Sequence, residues 1–139
     1  MKYLLDTNIV SYFLRAASPE LNQRILESSP EELAISIISV GELRYGLQKL
    51  GQSKRALQLS HQLNAVLTAI PVLALPGDAA PCYGSTRSQL EAAGTPIGGN
   101  DLWIAAHALS QDLILVTNNT GEFQRVKGLK LENWLPHVD

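Results

Sequence analysis

The sequence predicts an α/β protein of the βαβ type, a parallel sheet whose crossovers are helices, and two observations carry that prediction. Short apolar runs alternate with stretches of helical periodicity along all 139 residues. The two clearest runs, Tyr3-Leu4-Leu5 and Leu113 to Thr117, each lead straight into oxygen-bearing polar residues. Such alternation marks strands joined by helices, and the polar residues then fall at the carboxyl edge of the sheet, where ligands collect. With 45% apolar and 17% charged residues the composition is globular, and residues 1–139 are expected to form one domain.

The first strand covers Tyr3 to Leu5, and Ile9 to Leu14 follows as a short helix. Pro19 stands where a first helical turn begins, with Leu21, Ile25 and Leu26 repeating at helical spacing behind it. Leu33 to Ile38 is the second strand. Ser39 is then expected to cap the next helix, and Glu42, three residues on, fits a capping box. Val40, Leu43, Tyr45 and Leu47 turn much of that helix inward, and Gly46 leaves room for a ligand one turn after Glu42. From Ser53 to Ala69, Ala56, Leu59, Leu63, Val66 and Leu67 share one helical face, and Lys54, Arg55, Gln58 and Gln62 share the other.

Ile70 to Leu75 reads as a third strand despite Pro71, which favours a strand start or a sheet edge. A helix over Gly77 to Ala93 closes at Gly94. The nearly all-apolar stretch Leu102 to Leu109 is a buried helix, Leu113 to Thr117 the fourth strand, and Gly128 to Pro136 adds a short edge strand. Gly94 to Asn100 forms a compact irregular loop before the buried helix, a reasonable place for a site.

A formal net charge of −2 argues against a surface that coats nucleic acid non-specifically, so any such contact is local or bridged by metal. Cys82 is the single cysteine, which rules out an internal disulfide and suits a reducing cytoplasm. There is no basic-then-apolar leader and no apolar run near about 18 residues, so neither a signal peptide nor a membrane span is expected. Nucleotide fingerprints of the GxxxxGK[ST] and GxGxxG kinds are missing. His61 falls on a polar helical face, His107 reads as a satisfied, partly buried histidine, and His137 is in the tail. None is placed to build a nucleophilic triad with Cys82 or a serine.

Chemistry concentrates in three acids. Asp6 ends a strand, while Glu42 and Asp101 each begin a helix, so all three can converge at one sheet edge. Carboxylates brought that close repel one another unless a cation neutralises them, and Mg2+ or Mn2+ prefers such oxygen donors. Each acid also has an ordinary explanation. Asp6 can cap the helix near Ile9, although Thr7 or Asn8 can cap it too. Glu42 fits a capping box. Asp101 fits a first helical turn that Asn100 caps, where the helix dipole favours an acid. A fourth zone, Thr117-Asn118-Asn119-Thr120, follows the last apolar strand and can hold a phosphate, a metal-bound water or simply a turn.

Four segments in order then resemble a known family: Leu4-Leu5-Asp6-Thr7-Asn8, Ile38-Ser39-Val40-Gly41-Glu42-Leu43, Gly94 through Asn100-Asp101 to Ala108, and Val116-Thr117-Asn118-Asn119-Thr120. The chain looks like a PIN-domain ribonuclease, specifically a VapC-type toxin of a bacterial toxin–antitoxin pair, over essentially its whole length. The resemblance implies a three-layer fold with a central parallel sheet of four or five strands. It implies endonucleolytic cleavage of RNA with Mg2+ or Mn2+, in a cytoplasmic homodimer silenced by a cognate antitoxin, with DNA met only through that antitoxin. Carried over by position, Asp6, Glu42 and Asp101 match the family's catalytic and metal-binding acids. Thr7 and Asn8 would support Asp6, with Thr117, Asn118 and Asn119 nearby.

Two positions depart from the family pattern. Many members carry a fourth acid after the last core strand, where this chain has Asn118 and Asn119, and Gly121 precedes Glu122-Phe123 where an Arg is common. Two competing readings follow. One is a PIN-like module that binds RNA or protein without cutting. The other is an aspartyl-phosphate phosphatase, which needs a second acid where Asn8 stands and a late lysine that Val116 to Asn119 does not supply.

Overall fold

In the computed structural model, which describes residues 1–136, five strands form one parallel sheet in the order β3-β2-β1-β4-β5. The strands are β1 (Tyr3–Leu5), β2 (Leu33–Ser36), β3 (Val72–Leu73), β4 (Ile114–Val116) and β5 (Leu131–Glu132). The helices are α1 (Thr7–Leu14), α2 (Pro19–Glu27), α3 (Ile37–Leu50), α4 (Lys54–Ala69), α5 (Ala79–Ala92), α6 (Gly99–Ser110) and α7 (Thr120–Phe123). The first strand is the central one: Leu5 pairs with Ile35 on one side and with Val116 on the other. The chain builds outward to β3, then returns to the far side of β1 for β4 and β5. That reversal opens a crevice at the carboxyl ends of β1 and β4, the place where open α/β sheets hold ligands.

Side chains alternate across β1 and so seed two cores. Tyr3 and Leu5 join Ile9, Val10, Leu21, Ile25 and Ile35 on one face, while Leu4 joins Ala34, Ile104, Ala105, Leu115 and Phe123 on the other. The sheet is therefore the middle of three layers, as expected. On the second face Tyr83 of α5 stacks on Trp103 of α6, with ring centroids 3.8 Å apart. α6 is buried at Leu102 and from Ile104 to Ala108, in keeping with its nearly all-apolar sequence. Among the described residues no helix is long and apolar enough to cross a membrane.

Several boundaries follow from caps that periodicity alone misplaces. β2 stops at Ser36, whose hydroxyl accepts the Ile38 N–H at 3.2 Å and starts α3 early, so Ile37 and Ile38 are helical. Ser39 is thus a fully buried residue inside α3 and not its cap, and the expected capping box with Glu42 does not form. Asp6 is the N-cap of α1, in place of Thr7 or Asn8. α6 begins at Gly99 behind Gly98, which leaves Asn100 inside the first turn and exposed. Tyr45 and Leu26, both expected on apolar faces, are 65% and 74% exposed. α7 is a single helical turn where a turn and cap were expected.

Other expectations hold. Pro19 opens α2 behind the Ser18 cap. The strand after Pro71 is a sheet edge, although only two residues long. Gly94, at φ +72°, ends α5 with paired bonds from Gly94 N to Glu91 O and from Thr95 N to Leu90 O. That geometry needs a left-handed residue, which glycine adopts without strain. His137 lies outside the described residues.

Candidate active site

Asp6 is only 4% exposed and is held from three directions. Its backbone N–H donates to Val116 O at 3.0 Å, which continues the β1–β4 ladder by one residue. Its carboxylate accepts the Ile9 N–H at 2.9 Å as the cap of α1, and the Thr117 hydroxyl bonds to it from the end of β4. Burial pushes the carboxyl up to about 6 against those bonds, and the charge of Glu42 adds to the rise. Capping and site membership, which the sequence left as alternatives, are therefore compatible: one oxygen caps while the group still feels the neighbouring acid.

Glu42 stands in the second turn of α3 and reaches back to α1. Thr7 Oγ1 donates to Glu42 Oε1 at 2.6 Å and lies 3.0 Å from the Ser39 hydroxyl. Thr7 thus supports Glu42, where the sequence had it supporting Asp6. Ser39, with no side-chain exposure to spare, supplies the floor of this small polar cluster.

Asp101, in the first turn of α6, is half-buried and also raised to about 6. Burial is the largest cause, followed by the charges of Glu122, Glu42 and Asp6. Four acids from four separate elements therefore share one electrostatic field. Glu122 is the member that sequence reasoning missed. It sits in α7, with Oε2 accepting from Asn119 Nδ2 at 2.6 Å and Oε1 accepting the Gly98 N–H at 3.4 Å. The signal is in the sequence: Glu122 lies one helical turn beyond Asn118 and Asn119.

The remaining residues divide. Thr117 is buried, accepts the Asn119 N–H at 2.9 Å and joins Asp6. Asn119 orients Glu122. Asn118 is exposed and its Oδ1 accepts from Asn133 Nδ2 at 3.1 Å, away from the acids. Asn8 is exposed, and only its backbone N–H reaches Asp6.

Among the described residues no three His, Cys, Asp or Glu side chains close into a cage that could hold a metal as they stand. Asp6 and Glu42 are turned to the Ile9 N–H and the Thr7 hydroxyl instead. The donor chemistry nevertheless suits a hard dication. It is all oxygen, two of its carboxyls are pushed up by burial and mutual repulsion, and no described ion pair involves any of the four acids. Mg2+ keeps several waters and takes one or two carboxylates, so a closed cage is not required.

Comparison with known proteins gives the family. Residues 3–129 match the family model described as the PIN domain. Over 135 residues the chain is 37% identical to ribonuclease VapC2 of Haemophilus influenzae, covering 97% of this chain and 99% of that protein. It is 36% identical over 134 residues to the tRNA(fMet)-specific endonuclease VapC of Shigella flexneri, covering 96% and 98%. The solved structure of VapBC2 from Rickettsia felis, bound to a DNA fragment from their promoter, contains a chain that matches with a TM-score of 0.86 and 38% identity over 96% of this chain and 99% of that one. The chain belongs to the PIN-domain family. Its relatives within that family are the VapC ribonucleases, so the resemblance carried by the four motifs is borne out.

Proposed function

We propose that this protein is an endoribonuclease that hydrolyses RNA phosphodiester bonds with a divalent metal, held by Asp6, Asp101 and Glu42 and assisted by Glu122. The observation that carries the proposal is the meeting of Asp6, Glu42, Asp101 and Glu122 from four separate elements, with the Asp101 carboxyl raised first by burial and then by the charges of the other three. A bound ion supplies a water of lowered pKa and offsets charge on the phosphate. The chain's own residues do the rest. Asp6 is buried at the carboxyl end of β1 and held by the Ile9 N–H, so few rotamers are open to it before an ion arrives. Thr7 holds Glu42, and Asn119 holds Glu122. At neutral pH both raised acids lie above their midpoints of about 6 and are available as ligands.

Mg2+ is the ion we assign first, with Mn2+ able to replace it. The substrate named for the Shigella flexneri relative makes initiator transfer RNA the first RNA to test. For the protein partner we propose an antitoxin whose apolar segment seats in the groove of about 480 Å3 between α1, α3 and α4. Leucines 14, 43, 47 and 50 line it beside Thr7 and Glu42, with Arg15 and Arg55 also lining it. An inhibitor seated there lies against the acid cluster.

The deciding experiment incubates purified protein with transfer RNA and with unstructured RNA, in Mg2+ and in chelator, beside the Asp101→Asn variant. Metal-dependent cleavage by the wild type, lost in the variant, is the expected result. RNA binding without cleavage in any divalent metal would return the protein to the reading of a non-cutting module.

A further inference from the structure

Beneath the acid cluster, His107 of α6 is 1% exposed and its Nδ1 lies 3.0 Å from Ser36 Oγ, itself fully buried. Hydrogen-bond accounting assigns the proton. Ser36 Oγ already accepts the Ile38 N–H at 3.2 Å as the cap of α3. Were Nδ1 also to donate, the serine's own hydrogen would be buried without an acceptor, an arrangement folded proteins avoid. In the reverse arrangement the serine hydrogen is used, and Ser36 Oγ and His107 Nδ1 each have a partner. The Ser36 hydroxyl therefore donates to Nδ1, the ring proton sits on Nε2, and the imidazole is neutral. Burial, which lowers its pKa with no charged group contributing, agrees with that state.

This bond occupies a sensitive place. Among the described residues it is the sole hydrogen bond between α6 and the β2–α3 segment. The other buried residues of α6 are Leu102, Ile104, Ala105, Ala106 and Ala108, whose packing is non-directional, and the Trp103 ring stacks on Tyr83 of α5 rather than on α3. Asp101 precedes His107 by six residues on α6, and Glu42 follows Ser36 by six residues on α3. Among the described residues that bond is the one directional link through which the two segments set the relation of their acids.

Resting on the metal-dependent reading above, we propose that His107 is a positioning residue for the acid cluster. As acceptor of the Ser36 hydroxyl it fixes the rotation and axial position of α6, and with them Asp101, against the helix that carries Glu42.

The test uses the whole protein and reads the Mg2+ concentration that gives half of the metal-induced rise in Tm, alongside RNA cleavage. His107→Leu and Ser36→Ala are each expected to raise that concentration roughly tenfold, in line with the loss of a group that orients metal ligands. The double variant is expected to be no worse than Ser36→Ala alone, which already lacks the bond and also the cap of α3. His107→Asn, whose amide can stand in for Nδ1, is expected to stay within about twofold of wild type. Unchanged midpoints in folded His107→Leu, or additive effects in the double variant, overturn the proposal. If His107→Leu does not fold, Ser36→Ala decides alone, and an unchanged midpoint there overturns it. A wild type whose Tm ignores Mg2+ overturns this inference together with the nuclease reading. A normal Mg2+ response without cleavage of any RNA overturns the nuclease reading alone.

Discussion

Thr7 Oγ1 donates to Glu42 Oε1 across 2.6 Å, joining the first residue of α1 to the second turn of α3. The bond explains why a threonine follows Asp6. It sets the direction of an acid contributed by a helix that is 35 positions away in sequence. Thr7→Val keeps the shape and removes the donor. It is expected to lower RNA cleavage roughly ten- to hundredfold while Tm moves by only a few degrees, and Thr7→Ser is expected to restore most of the rate. A Thr7→Val enzyme of full activity would remove Thr7 from the site.

Asp6 carries a folding cost together with its function. A carboxyl raised from 3.8 to about 6 is worth on the order of 2–3 kcal/mol of instability once ionised. Asn can cap α1 as Asp does. Asp6→Asn is therefore expected to abolish cleavage and the Mg2+ response while leaving the metal-free protein as stable as wild type at pH 7.5, or more so. Chemical denaturation in chelator measures it, and a clear loss of stability contradicts this account of the site.

The same acids set a pH dependence. Their pKa values are higher in the folded state, so the stability they confer is complete below about 3.8 and is lost as pH rises through about 6. His107 runs the other way: its lowered pKa confers stability above its unfolded value near 6.5 that is lost as pH falls. Comparing wild type with Asp6→Asn cancels the histidine. In chelator, the Tm advantage of the variant is expected to grow from pH 5 to pH 7.5, and the Mg2+-induced rise in wild-type Tm to grow over the same interval. A metal response of equal size at both pH values would contradict the raised carboxyls.

Glu122→Gln tests the fourth acid. Glutamine can still accept from Asn119 but brings no charge, so the turn stays formed while one of the three charges that raise Asp101 is removed. Cleavage is expected to fall roughly tenfold or more, with a higher Mg2+ requirement. An unchanged rate and requirement would reduce Glu122 to a bystander.

Much of this was legible before any coordinates. Tyr3 to Leu5, the α6 run and Leu113 to Val116 are long or apolar enough that burial dictates their form. Asp6 and Asp101 fall at a strand end and a helix start because βαβ topology puts them there, whereas Glu42, expected at a helix start, stands in the second turn of α3. What remained hidden depends on choices between chemically similar groups. Ser36 and Ser39 can each cap a helix, and only the point at which β2 loses its sheet partner decides between them. Asp6 could cap or bind, and the structure uses one oxygen for the first task. Glu122 escaped notice because α7 is a single turn, too short for periodicity to register, so the acid seemed to lie beyond the site when one helical turn brings it back. The outward face of Tyr45 was equally hidden, since an aromatic residue in an amphipathic pattern gives no sign of which side it will take.

The central place of β1 has a consequence for the order in which this protein can come to life. Asp6 stands far ahead of β4 in the chain, yet its N–H donates to Val116 O, and Asp101 and Glu122, which share its electrostatic field, also come late in the sequence. A chain translated only as far as Asn100 holds two of the four acids and no β4 to seat the first of them. A chain that cuts RNA is thus translated beside the most RNA-rich machine in the cell without a complete site, and it arms itself only once β4 and α7 have emerged.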